Sequence, residues 1–150
     1  MSDPTPGGLP VRRLRPEAAV PTRAHPGDAG MDLIAIDRVT LEPGGRAAVP
    51  TGIAIAVPEN HAGLVLPRSG LARRHGVTVA NAPGLIDAGY RGEVQVLLVN
   101  LGGTAYTVEA GDRVAQLVIS PVAMPMPEAV EELPPGPDDR EVGGFGSSGR

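Results

Sequence analysis

The sequence predicts an all-β protein, and three observations support this prediction. The apolar stretches are short, and turn residues separate nearly all of them, with 21 Gly and 17 Pro in 150 residues. Only 2% of the residues are aromatic, so the core must consist of Val, Ile, Leu and Ala, a mixture rich in strand formers. A single short segment, 69–74, has the character of a helix. A chain of this length, with turn residues this frequent, fits one domain without long helices.

The elements are predicted from alternating apolar runs bounded by turn residues. The short helix at 69–74 has Ser69 in a suitable position for its N-cap. Residues 1–8 are polar and rich in Pro and Gly, so we expect a disordered N-terminus, followed by a β-domain over 9–123. The predicted strands are 11–14, 31–35, 47–57, 63–66, 77–80, 93–100, 106–108 and 113–120.

The segment 124–150 is predicted to be a flexible arm. Its first part combines prolines with carboxylates and has little apolar periodicity, and it ends in Gly-Gly-Phe-Gly-Ser-Ser-Gly at 143–149. Long segments without regular structure are usually functional or disordered. A flexible Gly/Ser terminus without a function is the alternative interpretation.

Composition and charge exclude several classes of function. The absence of cysteine removes disulfides and thiolate chemistry, and His25, His61 and His75 lack metal-ligand spacing. No stretch approaches the roughly 20 apolar residues of a membrane span, and no signal peptide is evident, so we expect a cytoplasmic protein that does not contact membranes. A net charge of -4 argues against nucleic-acid binding, although a small phosphorylated ligand remains possible.

Asp87 lies in the stretch Gly-Leu-Ile-Asp-Ala-Gly-Tyr-Arg-Gly-Glu at 84–93. Apolar residues flank a Gly-containing turn, which predicts a β-hairpin in which Gly89 is free to take a positive φ. Asp87 is then either bonded to nearby backbone amides, as is common in turns, or a general base for a water nucleophile. Tyr90 beside it could pack against a sugar or simply against the protein.

Residues Pro67-Arg68-Ser69-Gly70 lead from a strand into the start of the helix. Backbone N–H groups at such a start point outward, and Ser and Arg add further donors, which indicates a phosphate cradle. An ordinary helix cap with a solvated arginine is the alternative. The stretch lacks the Gly-Lys-Ser/Thr ending of a Walker loop, so an ATPase has little support.

Two strands contain a polar residue in an otherwise apolar run. Asp32 lies in Ala-Gly-Met-Asp-Leu at 29–33, and Gln116 lies in Gly-Asp-Arg-Val-Ala-Gln-Leu at 111–117. Such residues either face solvent or serve a site, and a strand with one wet face explains both.

Taken together and in this order, the five segments resemble the five motifs of the trimeric dUTPase family. The resemblance covers about 28–149, and the segments 84–92 and 143–149 are its most specific parts. It implies a jelly-roll-like antiparallel β-barrel that assembles as a homotrimer with shared active sites. It also implies hydrolysis of dUTP to dUMP and pyrophosphate, which keeps uracil out of DNA and supplies dUMP for dTMP synthesis.

The resemblance also implies a role for individual residues. Asp87 would deprotonate the water that attacks the α-phosphorus, and Asp32 would help to hold Mg²⁺ through coordinated water. Phe145 would stack on uracil when the arm closes, with Gly146, Ser147 and Ser148 around the phosphates. The implied phosphate-binding residues are Arg68, Ser69, Gly70, Gln116 and Arg140. The implied nucleoside-binding residues are Asn81, Leu85, Ile86 and Tyr90.

Two other functions are compatible with the same fold. A dCTP deaminase would attack a carbon of the base instead of phosphorus, but the Asp-Ala-Gly-Tyr stretch and the complete terminal motif favour a dUTPase. A non-catalytic nucleotide-binding protein would be expected to lack Asp87 or the terminal motif, and both are present.

Overall fold

The computed structural model describes residues 7–138, 142–146 and 149. In this part of the chain, ten strands pair into three antiparallel sheets around one short helix. No helix among these residues is long and apolar enough to span a membrane. The elements are β1 (Val11–Arg13), β2 (Met31–Ile34), β3 (Val39–Leu41), β4 (Arg46–Ile55), β5 (His61–Leu66), α1 (Ser69–His75), β6 (Val77–Val79), β7 (Gly84–Ile86), β8 (Glu93–Asn100), β9 (Tyr106–Val108) and β10 (Arg113–Pro121).

Two four-stranded sheets enclose the apolar core. One has the strand order β1-β4-β8-β6 and the other β2-β10-β5-β7, while β3 and β9 form a separate pair. Strand β8 shows why the sheets pack together, since Val94, Val96 and Leu98 alternate inward and are almost completely buried. They share one core cluster with Leu33 and Leu117 of the other sheet. The packing of two inner faces against each other therefore stabilises the domain.

The predicted all-β fold is confirmed. Strands β8 and β9 have the predicted bounds, and six other predicted strands differ only at their ends. Two three-residue strands, β3 and β7, were not among the predicted ones. Within the described residues, the pairing follows separate sheets and does not close into a continuous ring of strands.

The N-cap of α1 differs from the prediction by one residue, although the helix begins at Ser69 as predicted. Arg68 and not Ser69 occupies the N-cap position, with φ -90° and ψ 125°, and its side chain makes no capping hydrogen bond. The extended path of β5 continues through Pro67 into Arg68, whose guanidinium instead donates to the backbone oxygen of Arg113. Ser69 is therefore the first helical residue.

The segment 84–93 is not a hairpin, and this prediction was wrong. Strand β7 pairs with β5, whereas β8 pairs with β4 and β6 in the other sheet. The connection 87–92 thus crosses between the sheets, and an apolar-turn-apolar pattern fits such a crossing as well as a hairpin. Gly89 is also absent from the glycines with positive φ, although the amide of Tyr90 donates to the backbone oxygen of Asp87 across a turn.

Beyond β10 the described chain leaves the domain. Residues 122–138 form no helix or strand and are all exposed. One hydrogen bond, from the amide of Val122 to the backbone oxygen of Asn60, holds its beginning against the domain. Several large apolar side chains of this segment, among them Met124, Met126 and Leu133, are exposed.

Candidate active site

Two polar side chains, Gln116 and Asp32, lie side by side on neighbouring strands of one sheet and form what we call the polar row. Gln116 of β10 lies opposite Asp32 of β2 on one side and opposite Leu66 of β5 on the other. Gly30 keeps space for the row, because a Cβ at this position would collide with Oε1 of Gln116. The sheet therefore brings Asp32 and Gln116 together just where β5 leads into Arg68.

Two guanidinium groups flank the carboxylate of Asp32. Nε of Arg68 lies 4.0 Å from one oxygen, and Nη1 of Arg113 lies 3.9 Å from the other. The Asp32 side chain is only 18% exposed, so both charges act on it through a partly desolvated space. These distances are too long for hydrogen bonds, and donors of both arginines therefore remain available to a ligand.

Helix α1 follows this row and carries Ser69 and Gly70 at its first turn. Its last residue, His75, packs its ring against Tyr106 of β9, with centroids 4.7 Å apart. Burial raises the pKa of the Tyr106 hydroxyl, and the charge of Asp112 raises it further, while Arg68 and Arg74 oppose the shift. The contact of His75 with Tyr106 thus holds helix α1, which carries the predicted phosphate cradle 68–70, against β9.

A second set of predicted residues surrounds a cavity of about 210 Å³. Its wall is partly apolar, and Gly84 allows close packing there, since a Cβ would lie 3.2 Å from Cβ of Val65 and 3.4 Å from Nδ2 of Asn81. The hydroxyl of Tyr90 donates to the backbone oxygen of Glu93 at 2.9 Å, which fixes the ring. The lining residues include Asn81, Leu85, Ile86 and Tyr90.

Asp87 lies at the beginning of the crossing between the sheets and is exposed. Its backbone oxygen accepts a hydrogen bond from the amide of Tyr90, but its carboxylate has no hydrogen-bond or ion-pair partner among the described residues. The alternative in which Asp87 merely bonds to nearby amides is therefore not what the structure shows. The carboxylate is exposed at the surface of the chain.

Within one chain, Asp87 and the cradle lie at opposite ends of β5. Strand β7 runs antiparallel to β5, with Ile86 opposite Gly63. Asp87 follows Ile86 and so lies beside Ala62, six positions before Arg68 along the extended chain, a separation of roughly 20 Å. A single chain therefore does not bring Asp87 to Arg68 and Asp32.

The comparisons with known proteins match nearly the whole chain. A dUTPase family model matches residues 16–149, nearly the whole chain. The chain belongs to the dUTPase family. A dUTPase relative from Rhodococcus erythropolis, named deoxyuridine 5'-triphosphate nucleotidohydrolase, is 54% identical over 144 residues, covering 94% of this chain and 85% of the relative.

Solved dUTPase structures share the fold. A mutant dUTPase of Staphylococcus phage 80α with dUpNHpp has a TM-score of 0.86 and 32% identity, covering 97% of this chain and all of that chain. A mutant dUTPase of phage phi11 of S. aureus, described as revealing the coordination of a structural Mg(II) ion, has a TM-score of 0.78 and 32% identity over 83% of this chain and 97% of its own. These dUTPases give no support to the dCTP deaminase or the non-catalytic alternative.

The structure separates the predicted dUTPase residues into groups. Asp32, Gln116 and the cradle 68–70 lie together, the nucleoside-binding set lies around the cavity, and Phe145 is fully exposed. Arg140, Ser147 and Ser148 lie outside the described residues.

Two residues of these groups were not predicted from the sequence. Arg113 flanks Asp32, and the Gly-Asp-Arg run before Gln116 could have indicated it. Glu93 lines the cavity, where its Oε2 is enclosed without a hydrogen-bond partner among the described residues. Nothing in the sequence marks that burial.

Proposed function

We propose that the chain hydrolyses dUTP to dUMP and pyrophosphate, with its sites built at contacts between subunits. The observation that carries the proposal is the polar row of Asp32 and Gln116 beside the Arg68 cradle, in a member of the dUTPase family. The donors of Arg68 and Gln116 beside the Asp32 carboxylate suit a triphosphate together with its metal counter-ion. The separate, partly apolar cavity suits a base and a sugar.

The cavity gives the proposed specificity for deoxyuridine. Asn81 and the backbone of Leu85 and Ile86 present hydrogen-bonding groups to the edge of uracil, so that cytosine is rejected because its donors and acceptors differ. The cavity wall is proposed to exclude the methyl group of thymine. Tyr90, held by its hydrogen bond to the backbone of Glu93, packs against deoxyribose and leaves no space for a 2'-hydroxyl.

The cradle binds the phosphates. Arg68 supplies a charged fork, and Ser69 and Gly70 supply a hydroxyl and backbone amides at the first turn of α1. Gln116 reaches the same space from the neighbouring strand. Arg140 is proposed to bind the γ-phosphate from the arm. Fixed donors of this kind stabilise the charge that develops in the transition state.

The residues present fit a magnesium ion held mainly by the substrate. Among the described residues, no group of three or more His, Asp or Glu side chains could hold a metal by itself. Asp32 offers one carboxylate beside the phosphate cradle, which suits an ion that keeps several waters and binds phosphate oxygens. When bound, Mg²⁺ neutralises charge on the triphosphate. Asp32 is proposed to orient its coordinated water.

Asp87 is the proposed general base. Its exposed carboxylate accepts the proton from a water molecule positioned for in-line attack on the α-phosphorus, and pyrophosphate leaves. No other group of the described chain competes for this carboxylate by hydrogen bond or ion pair. It is therefore available to a water and a substrate held by another subunit.

The separation of Asp87 from the cradle supports a homotrimer with shared sites. Roughly 20 Å of extended chain lies between them in one subunit, so a complete site needs Asp87 from a different copy. The arm 124–150 is the proposed third contribution, since its described part leaves the domain and exposes apolar side chains. Cyclic symmetry would then produce equivalent sites.

Phe145→Ala is expected to weaken substrate binding and leave fold stability nearly unchanged. The ring is fully exposed, and a ring stacked on a base contributes on the order of 1–3 kcal/mol in other nucleotide complexes. The affinity for dUpNHpp and the melting temperature without ligand are to be measured together. A large drop in melting temperature would place the ring in the core and contradict the stacking role.

Pyrophosphate release tests the proposed activity most directly. With Mg²⁺, the full chain is expected to release pyrophosphate from dUTP and not from dCTP, dTTP or UTP. Removal of divalent ions with a chelator should suppress the release. Ammonia from dCTP would instead identify a deaminase, and comparable turnover of all four nucleotides would contradict the proposed cavity specificity.

A further inference from the structure

Arg74 lies over the first turn of α1. Side chains on a helix lean towards its N-terminus, so residue 74 covers position 70 one turn earlier. Position 70 is glycine, and a Cβ there would lie 3.0 Å from Nη2 and 3.6 Å from Cζ of Arg74. The guanidinium therefore occupies the space beside the backbone of Gly70 that a side chain would otherwise fill.

The last turn of α1 holds Arg74 in place. His75 packs against Tyr106, and Gly76 ends the helix in the left-handed region with φ 68°. A Cβ on Gly76 would come within 2.7 Å of the amide nitrogen of Gly102, so this turn is in close contact with the loop after β8. The backbone that carries Arg74 is thus fixed against β9 and this loop.

The donors of Arg74 are available. Its guanidinium forms no ion pair within 4.0 Å and no hydrogen bond with the described residues, unlike Arg68, which is close to Asp32. An open cavity lies beside it, lined by Ser69, Gly70, Arg73 and Arg74. Two cationic side chains and the cradle residues therefore surround one space, and the residues that line it include no carboxylate.

We propose that Arg74 is a further substrate-binding residue, whose guanidinium contacts the pyrophosphate portion of the nucleotide held at Ser69 and Gly70. This inference rests on the proposed function. The planar fork of arginine matches two phosphate oxygens at once, and such charge-assisted bonds are stronger than neutral ones. A contact to this portion distinguishes dUTP from dUMP, which lacks it.

The test compares ligands with and without the pyrophosphate portion. Wild type, Arg74→Gln and the control Arg13→Gln are titrated with dUpNHpp and with dUMP in the presence of Mg²⁺, by calorimetry on the full chain. Arg13 is exposed on β1, so its replacement removes the same charge away from the cradle. Arg74→Lys tests whether the point charge restores part of the affinity.

Arg74→Gln is expected to weaken dUpNHpp about 10- to 100-fold, the range for lost hydrogen bonds to a charged group, while dUMP affinity changes little. The Arg13→Gln control should bind both ligands like wild type, and Arg74→Lys should lie between wild type and Arg74→Gln. Unchanged dUpNHpp affinity, or an equal loss of affinity for both ligands, would overturn the inference. The proposed function would stand in that case as long as the wild type hydrolyses dUTP. Failure of wild type itself to bind dUpNHpp would overturn both.

Discussion

An Asp87→Asn variant is expected to lose nearly all dUTP turnover while it still binds dUpNHpp. The amide has almost the same shape as the carboxylate but cannot accept the proton of the attacking water. Loss of a general base commonly reduces a rate by about 10²- to 10⁴-fold. Because Asp87 is exposed and its carboxylate has no partner among the described residues, folding should not change.

The measurement is pyrophosphate release under saturating dUTP, with calorimetric binding of dUpNHpp as the companion. Glu59 is a suitable control position, since it is another exposed acidic residue in a loop, next to Asn60. Glu59→Gln should keep wild-type turnover. Near-normal turnover of Asp87→Asn would reject Asp87 as the base, and a parallel loss of dUpNHpp binding would assign it a binding role instead.

Much of the β-structure was predictable because apolar and polar residues alternate along a strand that has one buried face. Strand β8 illustrates this, since Val94, Val96 and Leu98 face the core while Gln95 and Leu97 face outward, and its predicted bounds are confirmed. Length alone does not explain why strands β3 and β7 were missed, because β1, β6 and β9 also have three residues and were predicted. Their pairing depends on partners distant in sequence, β9 for β3 and β5 for β7.

The local sequence could not distinguish a hairpin from a crossing between sheets. Residues 84–93 contain the same apolar and turn residues in either case, and only the pairing of β7 with β5 decides between them. This difference matters for the site, because the crossing places Asp87 far from Arg68 within one chain.

The polar row could be predicted only through the resemblance to a family. Asp32 and Gln116 are 84 positions apart in the sequence (116 − 32), and each alone fits an ordinary wet strand face. Their register across β2 and β10 brings them together. Arg74 is a different case. Its contact with Gly70 follows from helical spacing and could be predicted. Its lack of an ion-pair partner could be seen only in the structure.

Mixed trimers of two inactive chains are expected to regain activity. One chain carries Asp87→Asn, and the other is truncated after Val142, so each homotrimer lacks either the base or the Phe145 motif. If the base and the arm at each site come from different subunits, a site with Asp87 from a truncated chain and an arm from an Asp87→Asn chain is complete. In an unbiased 1:1 mixture this holds for about one quarter of all sites.

Two affinity tags allow the mixed trimers to be isolated and counted. Either mixed composition has three sites in cyclic order, and about one in three should then combine an intact base with an intact arm. Separately purified homotrimers that are mixed without exchange provide the control and should remain inactive. Had base and arm come from one chain, every site would lack one of them. Inactive mixed trimers of verified composition would therefore reject this sharing, while the hydrolysis of dUTP by the unaltered chain would remain.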